Sequence, residues 1–281
     1  MKNEQLSVGQ SVLEFYRVLP FNYRQSVPEH AREIKNRNVV QSYPVLPPLL
    51  ESPGMRVLEI GCGPGWMSNG IAHHYGCPVT GLDFNPVAVE RAQAVATKLG
   101  AETDFLVGDL FQWSPKSPFP LVISLGVLHH TDNCHGAVRR LYTDFTAPGG
   151  HALIGLYHEP GRRPFLDHFA DMKAAGACED KMLERFRELS NSPKDETHLM
   201  SWFRDQVLHP YETQHTLKEM VAVAEDCGMT LESTSINRFQ PINSVEDLYA
   251  QELDYADLAA ERLAAGKYFP GFFVFLARKA S

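Results

Sequence analysis

The run Val57-Leu58-Glu59-Ile60-Gly61-Cys62-Gly63-Pro64-Gly65 joins an acid near the end of an apolar strand to three alternate glycines. Glycine lets the chain turn sharply and brings backbone N–H groups up to a ligand with no Cβ in the way. The helix that follows offers free N–H groups and a partial positive charge, suited to a carboxylate or phosphate. Glu59, however, would repel a pyrophosphate, and the third glycine stands one residue early for a dinucleotide loop. A carboxylate there suits a ligand with a cationic group. Two further acids follow later strands: Asp83 in Gly81-Leu82-Asp83 and Asp109 in Val107-Gly108-Asp109-Leu110. Either alone reads as an exposed strand-end or turn residue; placed in series after successive strands, they become candidate ligand acceptors.

In this order and spacing the segments resemble the small-molecule branch of the class I S-adenosylmethionine (SAM)-dependent methyltransferases, whose first motif is an acid-x-Gly-x-Gly-x-Gly loop. The resemblance extends to Ser124-Leu125-Gly126-Val127-Leu128-His129-His130 after strand four, to Pro148-Gly149-Gly150 before strand five, and to Phe272–Lys279 as the last strand. It implies that Asp83 accepts the two ribose hydroxyls of SAM. It also implies that Asp109 meets the adenine amino group and that the Leu110 N–H meets a ring nitrogen. The cofactor-binding set it implies is Glu59, Gly61, Cys62, Gly63, Gly65, Asp83, Phe84, Asp109, Leu110, Leu125 and Gly126, with S-adenosylhomocysteine as the product. Cys62 is expected to be a small packing residue, since nothing around it argues for a reactive thiolate.

Methyl transfer from a sulfonium is an in-line displacement that mainly requires alignment of the acceptor and removal of bulk water. A base is needed only where the nucleophile must lose a proton. His130 and His129 follow strand four on the ligand side of an open parallel sheet and are the candidate catalytic residues. The competing reading is that they pack beneath the cofactor or cap the helix beginning near Asp132. Candidate acceptor-binding residues are Tyr16 and Tyr23 in an aromatic N-terminal stretch, Tyr157 after strand five, and His209, Glu212 and His215 at three-residue intervals. For that last trio three readings stand: pocket groups, a brace for the following turn, or metal ligands. Pro210 breaks any helix that would align them, so no metal is expected. Arg162 and Arg163 either hold an acidic acceptor or lie solvated on a loop.

Short apolar strands are expected at Met55–Ile60, Val79–Leu82, Asp104–Val107, Leu121–Leu125 and Ala152–Leu156, with Met229–Ile236 and Phe272–Ala277 following a helical interval. Helices fall between them. Asn85, Pro86 and Gly100 punctuate one, and Thr216 with Glu219 forms a capping box for another. Others are expected at Met67–His74, Gly136–Phe145, Phe165–Ala175, Lys181–Leu189, Thr197–Leu208 and Val245–Ala265. Strand–helix alternation predicts an α/β, doubly wound, mostly parallel sheet. The resemblance makes it seven-stranded, with an N-terminal arm or lid at 1–50 and a methyltransferase domain at 51–281. Within that domain, 157–213 is expected to be a helical substrate cap.

With 281 residues, 44% of them hydrophobic, the chain can bury a core without staples. A net charge of −8 argues against nucleic acid and anionic membrane as partners. The run after strand four also lacks the Asn/Asp-Pro-Pro-aromatic segment of nucleic-acid amino methyltransferases. Five scattered cysteines support neither a disulfide framework nor a zinc knuckle. No signal peptide or spanning segment is evident, so a cytoplasmic protein is expected, acting on a small molecule and, at most, pairing as a homodimer. Rival expectations are a SAM-binding enzyme of the same fold with other chemistry, and a nicotinamide-dependent oxidoreductase.

Overall fold

Three α-helices and a 3-10 turn (Val39–Ser42) precede the first strand in the computed structural model, which describes residues 7–24, 26–190 and 195–281. The α-helices are α1 (Val8–Val18), α2 (Val27–Asn36) and α3 (Leu46–Leu50). The alternating region then runs β1 (Val57–Ile60), α4 (Trp66–Tyr75), β2 (Val79–Asp83), α5 (Pro86–Leu99), β3 (Thr103–Val107), β4 (Phe119–Leu125), α6 (Cys134–Arg140) and β5 (Thr146–Tyr157). After it come α7 (Glu159–Ala174), α8 (Glu179–Ser190), α9 (Glu196–Val207), α10 (Leu217–Asp226), β6 (Met229–Thr234), α11 (Val245–Ala264) and β7 (Phe272–Lys279). Residues 1–6 and 25 of the expected arm and 191–194 of the expected cap lie outside the described residues.

The seven strands form one sheet in the order β3-β2-β1-β4-β5-β7-β6, with β7 antiparallel to both neighbours and the other pairs parallel. Period-2 alternation sorts its side chains onto two faces. In β4, Val122 joins a core that also holds Ala137, Leu141, Met220 and Leu248, whereas Leu121 and Ile123 join Ile71, Leu50 and Val40 on the other face. Helices cover both faces, as a mostly parallel sheet demands. Chain order reverses between β1 and β4, so a crevice opens at their carboxyl ends, where open α/β sheets take their ligands.

Local chemistry sets the helix ends. Asn85 accepts the Val87 N–H, Pro86 fills the first position, and Gly100 ends α5 at φ +66°. Thr216 and Glu219 form the expected reciprocal cap of α10. Three elements differ from the sequence reading. Helix α7 begins at Glu159 rather than near Phe165, because Pro160 sits in its first turn, where a missing N–H costs nothing. The expected 136–145 helix divides at Leu141 into α6 and one π turn. Strand β5 starts at Thr146, with a register shift opposite Phe119 and Leu121.

The N-terminal helices are packed down rather than splayed. Val12, Ala31, Ile34, Val40, Leu46 and Leu50 are all buried, and Ala31 and Ile34 meet Val95 of α5. Helices α7, α8 and α9 have their own aromatic core of Phe165, Phe169, Phe186 and Phe203. Among the described residues, no helix is long and apolar enough to cross a membrane.

Candidate active site

Gly61, Gly63 and Gly65 carry the chain from β1 into α4 at φ +73°, +51° and +84°, values that favour glycine. The three do different things. A Cβ on Gly61 would stand 2.2 Å from Val127 Cγ2, so that glycine is needed for close packing. A Cβ on Gly65 would meet Asn69 Nδ2 at 2.6 Å and Ala92 Cβ at 2.9 Å, so it seats α4 against α5. Beside Gly63, nothing lies within 4 Å of that position, and the residue faces open cavity.

Asp83 closes the loop from β2. Its Oδ2 accepts the Gly63 N–H at 2.8 Å and its Oδ1 accepts the Asn85 N–H at 2.8 Å. Burial pushes its carboxyl up, and those two N–H groups pull it back. Glu59 is more isolated. Its Oε2 accepts the Ser68 N–H at 2.9 Å and the Ser68 hydroxyl, and among the described residues no basic side chain pairs with it. Burial raises its pKa to about 8, against the opposing pull of Ser68. A buried carboxyl with no cationic partner is costly. It fits a cationic ligand group. Asp109, exposed at the rim, accepts the Phe111 N–H at 2.8 Å in a turn after β3. Burial pushes the Cys62 thiol well up, so it stays protonated and packs.

All the expected cofactor residues except Gly65 line one cavity of about 1380 Å³. Its far wall comes from other parts of the chain: Leu13 and Tyr16 of α1, Phe186 of α8, Leu199, Trp202 and Asp205 of α9, and Phe272. Single-ligand sites commonly enclose roughly 300–1,000 Å³. This cavity exceeds that range.

Three expected residues, Tyr16, Tyr157 and His130, meet in that wall. Tyr16 donates to Asp205 Oδ1 at 2.5 Å and Tyr157 to Asp205 Oδ2 at 3.2 Å, while Gln206 Nε2 donates to both Tyr157 and Asp205. His130 Nδ1 lies 3.0 Å from the Tyr211 carbonyl, which can only accept, so Nδ1 carries the proton. Its Nε2 keeps a lone pair and has no partner among the described residues. Burial lowers the ring's pKa to about 3, leaving it neutral.

The remaining expected residues stand elsewhere. His129 is buried outside the cavity wall, with Nδ1 accepting the Tyr157 N–H at 3.2 Å and its ring stacked on Tyr157 at 4.0 Å. That is packing geometry. His209 stacks behind His130 at 3.7 Å without lining the cavity. Glu212 turns away to hold Arg162 in a two-pronged pair, Nε–Oε1 at 3.2 Å and Nη2–Oε2 at 2.9 Å. His215 faces Glu219 instead. Tyr23 lies under Arg91, whose guanidinium carbon is 4.4 Å from the ring centroid. Arg162 is neither a loop residue nor solvated: α7 carries it at 0% exposure, where it also donates to Gln206 at 2.9 Å. Arg163 is exposed. Asp205 and Gln206 were missed as site residues because only their tertiary burial distinguishes them from ordinary helical polar groups.

Residues 57–150 match the family described as methyltransferase domain. Over that third of its length the chain is similar to methyltransferase domains. Curated relatives include trans-aconitate 2-methyltransferase of Streptomyces avermitilis, 36% identical over 126 residues, which are 42% of this chain and 45% of that protein. A sterol 24-C-methyltransferase of Gibberella zeae is 34% identical over 107 residues, covering 37% of this chain and 27% of the relative. This chain therefore spans less than half the length of these curated relatives. Among solved structures, magnesium protoporphyrin IX methyltransferase from Synechocystis PCC 6803 with bound SAM superposes with TM-score 0.54 at 16% identity, covering 99% of this chain and 100% of that one. PKMT2 from Rickettsia typhi in complex with AdoHcy gives 0.60 at 16% identity, covering 92% and 53%. These likenesses establish the fold of the methyltransferase domain and its surroundings.

Proposed function

We propose that the protein transfers a methyl group from SAM to a small, largely apolar acceptor whose nucleophile gives up a proton. The observation that carries this reading is the single cavity that runs from Glu59, Asp83 and Asp109 to the wall of α1, α8 and α9. Its volume leaves room for a second molecule beside a nucleoside ligand. When bound, SAM supplies an electrophilic methyl group on a sulfonium. The residues present fit it: Glu59 for the ammonium, Asp83 for the ribose hydroxyls, Asp109 and the Leu110 N–H for the adenine. Gly63 and Gly126, neither with an atom within 4 Å of a Cβ position, leave the cradle open to close approach.

The chain's own part is alignment, exclusion of water and proton handling. Leu13, Phe186, Leu199, Trp202 and Phe272 give the acceptor end an apolar lining. The N-terminal helices serve as a lid and the 157–213 insertion as a cap, since each supplies part of that wall. His130 accepts the nucleophile's proton at Nε2, with Tyr211 fixing the tautomer. Tyr16 and Tyr157, both anchored on Asp205, orient the acceptor. A nicotinamide cofactor is disfavoured, because the Glu59 carboxyl lies where a pyrophosphate would approach.

Calorimetric titration with SAM, S-adenosylhomocysteine and NADH, beside an Asp83→Ala variant, tests the cofactor. Saturable binding of the first two, weakened in the variant and absent for NADH, is expected. Folded protein that binds no SAM would overturn the reading. Formation of S-adenosylhomocysteine from SAM with a small-molecule cell extract then separates methyl transfer from mere SAM binding.

A further inference from the structure

His215, which sequence spacing sets beside His209 and Glu212, takes different neighbours in the fold. It comes together with His135 of α6 and Glu219 of α10, their candidate ligand atoms all within 4.8 Å of one another. His135 Nε2 stands 2.5 Å from Glu219 Oε1, and His215 Nδ1 stands 3.3 Å from Glu219 Oε2. The hydrogen-bond inventory makes this convergence unusual. Thr213 Oγ1 stands 3.1 Å from the His129 carbonyl, which already accepts the Thr213 N–H at 2.8 Å, and 2.9 Å from His215 Nε2. With Thr213 as the acceptor from Nε2–H, the neutral His215 ring turns an Nδ1 lone pair towards the Glu219 carboxylate. Glu219 lies in the first turn of α10, and its Oε2 accepts the Thr216 N–H. His135 Nε2 is shielded from solvent and so poorly aligned with the carboxylate that it makes no hydrogen bond. In that tautomer a cation between the three side chains would satisfy them together.

We infer that His135 Nε2, His215 Nδ1 and a Glu219 carboxylate oxygen form a zinc-binding site. Two imidazoles and a carboxylate are a chemically valid zinc set, with metal bonds of about 2.0–2.2 Å and hence ligand atoms roughly 3.4 Å apart in a tetrahedron. The observed separations reach that spacing by small side-chain movements. The Thr213 acceptor on Nε2 is the outer partner that a ligating histidine uses to fix its tautomer. Both His135 and Glu219 are partly exposed, at 44% and 36%, which gives the ion a way in and leaves the fourth position to water. The ion would tie α6, the 209–216 segment and the start of α10 together. The same segment gives the Tyr211 carbonyl to His130, so zinc here braces a cavity wall without entering the cavity.

The full chain, stripped with a chelator and then titrated with Zn²⁺ by calorimetry and native mass spectrometry, tests this independently of any methyltransferase assay. Wild type is expected to take up one Zn²⁺ and to gain thermal stability. His135→Ala and Glu219→Gln are each expected to weaken binding by about tenfold or more and to lose that gain. Glutamine retains the helix cap, so Glu219→Gln separates ligation from folding. A His73→Ala variant, at an exposed position near the end of α4, is expected to bind like wild type. No uptake of Zn²⁺, or uptake undiminished in His135→Ala and Glu219→Gln, would overturn the site and leave a protonated imidazole facing Glu219.

Discussion

Tyr16 of α1 donates its hydroxyl to Asp205 of α9 across 189 positions of sequence, at 2.5 Å. The contact ties the N-terminal helices to the helical insertion over the cavity, and Arg204 reinforces it by donating to the Phe15 carbonyl at 3.1 Å. Burial pushes the Tyr16 hydroxyl well up and the Asp205 carboxyl up, so the phenol remains the donor.

Tyr16→Phe is therefore expected to remove one of the few donors to a buried carboxyl. The cost is about 1–3 kcal/mol, the range for stranding a buried polar partner. It should appear in chemical denaturation, with faster amide exchange over 8–18. Exchange in α1 unchanged from wild type would mean that this bond does not hold the arm down.

His130 gives a kinetic prediction. His130→Ala is expected to lower turnover by about 10²–10⁴-fold, the usual contribution of a positioned base, with SAM affinity unchanged. A ring whose pKa has fallen to about 3 stays neutral from pH 5 upward. The acid limb of the rate profile then carries no titration near 6.5 from this histidine. Full turnover in the variant would return His130 to a packing role like that of His129.

Glu59 couples ligand binding to protons. With a pKa of about 8 the free carboxyl is mostly protonated at pH 7, while holding an ammonium requires it ionised. SAM affinity should thus tighten as pH rises from 6 towards 8, by at most about tenfold per unit, and level off above. The same raised pKa means that Glu59 favours the fold below about pH 4.5 and loses that contribution progressively up to about 8. Titrations at pH 6.5 in buffers of different ionisation enthalpy should register proton release on binding, and Glu59→Gln should abolish it. Proton uptake would contradict the assignment.

The end of the cavity lined by Glu59, Asp83 and Asp109 was legible in the sequence because it is built locally. Each strand end and the residues just after it carry one group, and Gly61, Asp83 and Asp109 stay in register whatever packs above them. The wall supplied by α1, α8 and α9 was legible only in part. Tyr16 showed as part of an aromatic N-terminal stretch and Tyr157 as the residue after strand five, but nothing in their spacing pointed to Asp205. His209, Glu212 and His215 suggested one cluster, yet the extended stretch around Pro210 sends them three ways: onto His130, onto Arg162 and onto Glu219. Periodicity arguments hold for helices and strands and fail in such a segment. Arg162 was misplaced for a related reason, since Pro160-Gly161 has the composition of a turn but forms the first turn of α7.

Arg162 offers the sharpest stability test. It is wholly buried, paired with Glu212 through two contacts, bonded to the Gln206 side chain and carbonyl, and set 4.0 Å from the Tyr157 ring centroid. Removing one member of a buried pair strands the other charge, at a cost of about 3–5 kcal/mol. Arg162→Met should show that loss in equilibrium denaturation, along with weaker acceptor binding as Gln206 and Tyr157 lose their support. In the double variant Arg162→Met/Glu212→Gln the stranded carboxylate is gone, so part of the stability should return. Single and double variants falling by the same amount would mean that Arg162 acts by filling space around Tyr157 and Phe165, with its charge on Glu212 contributing little.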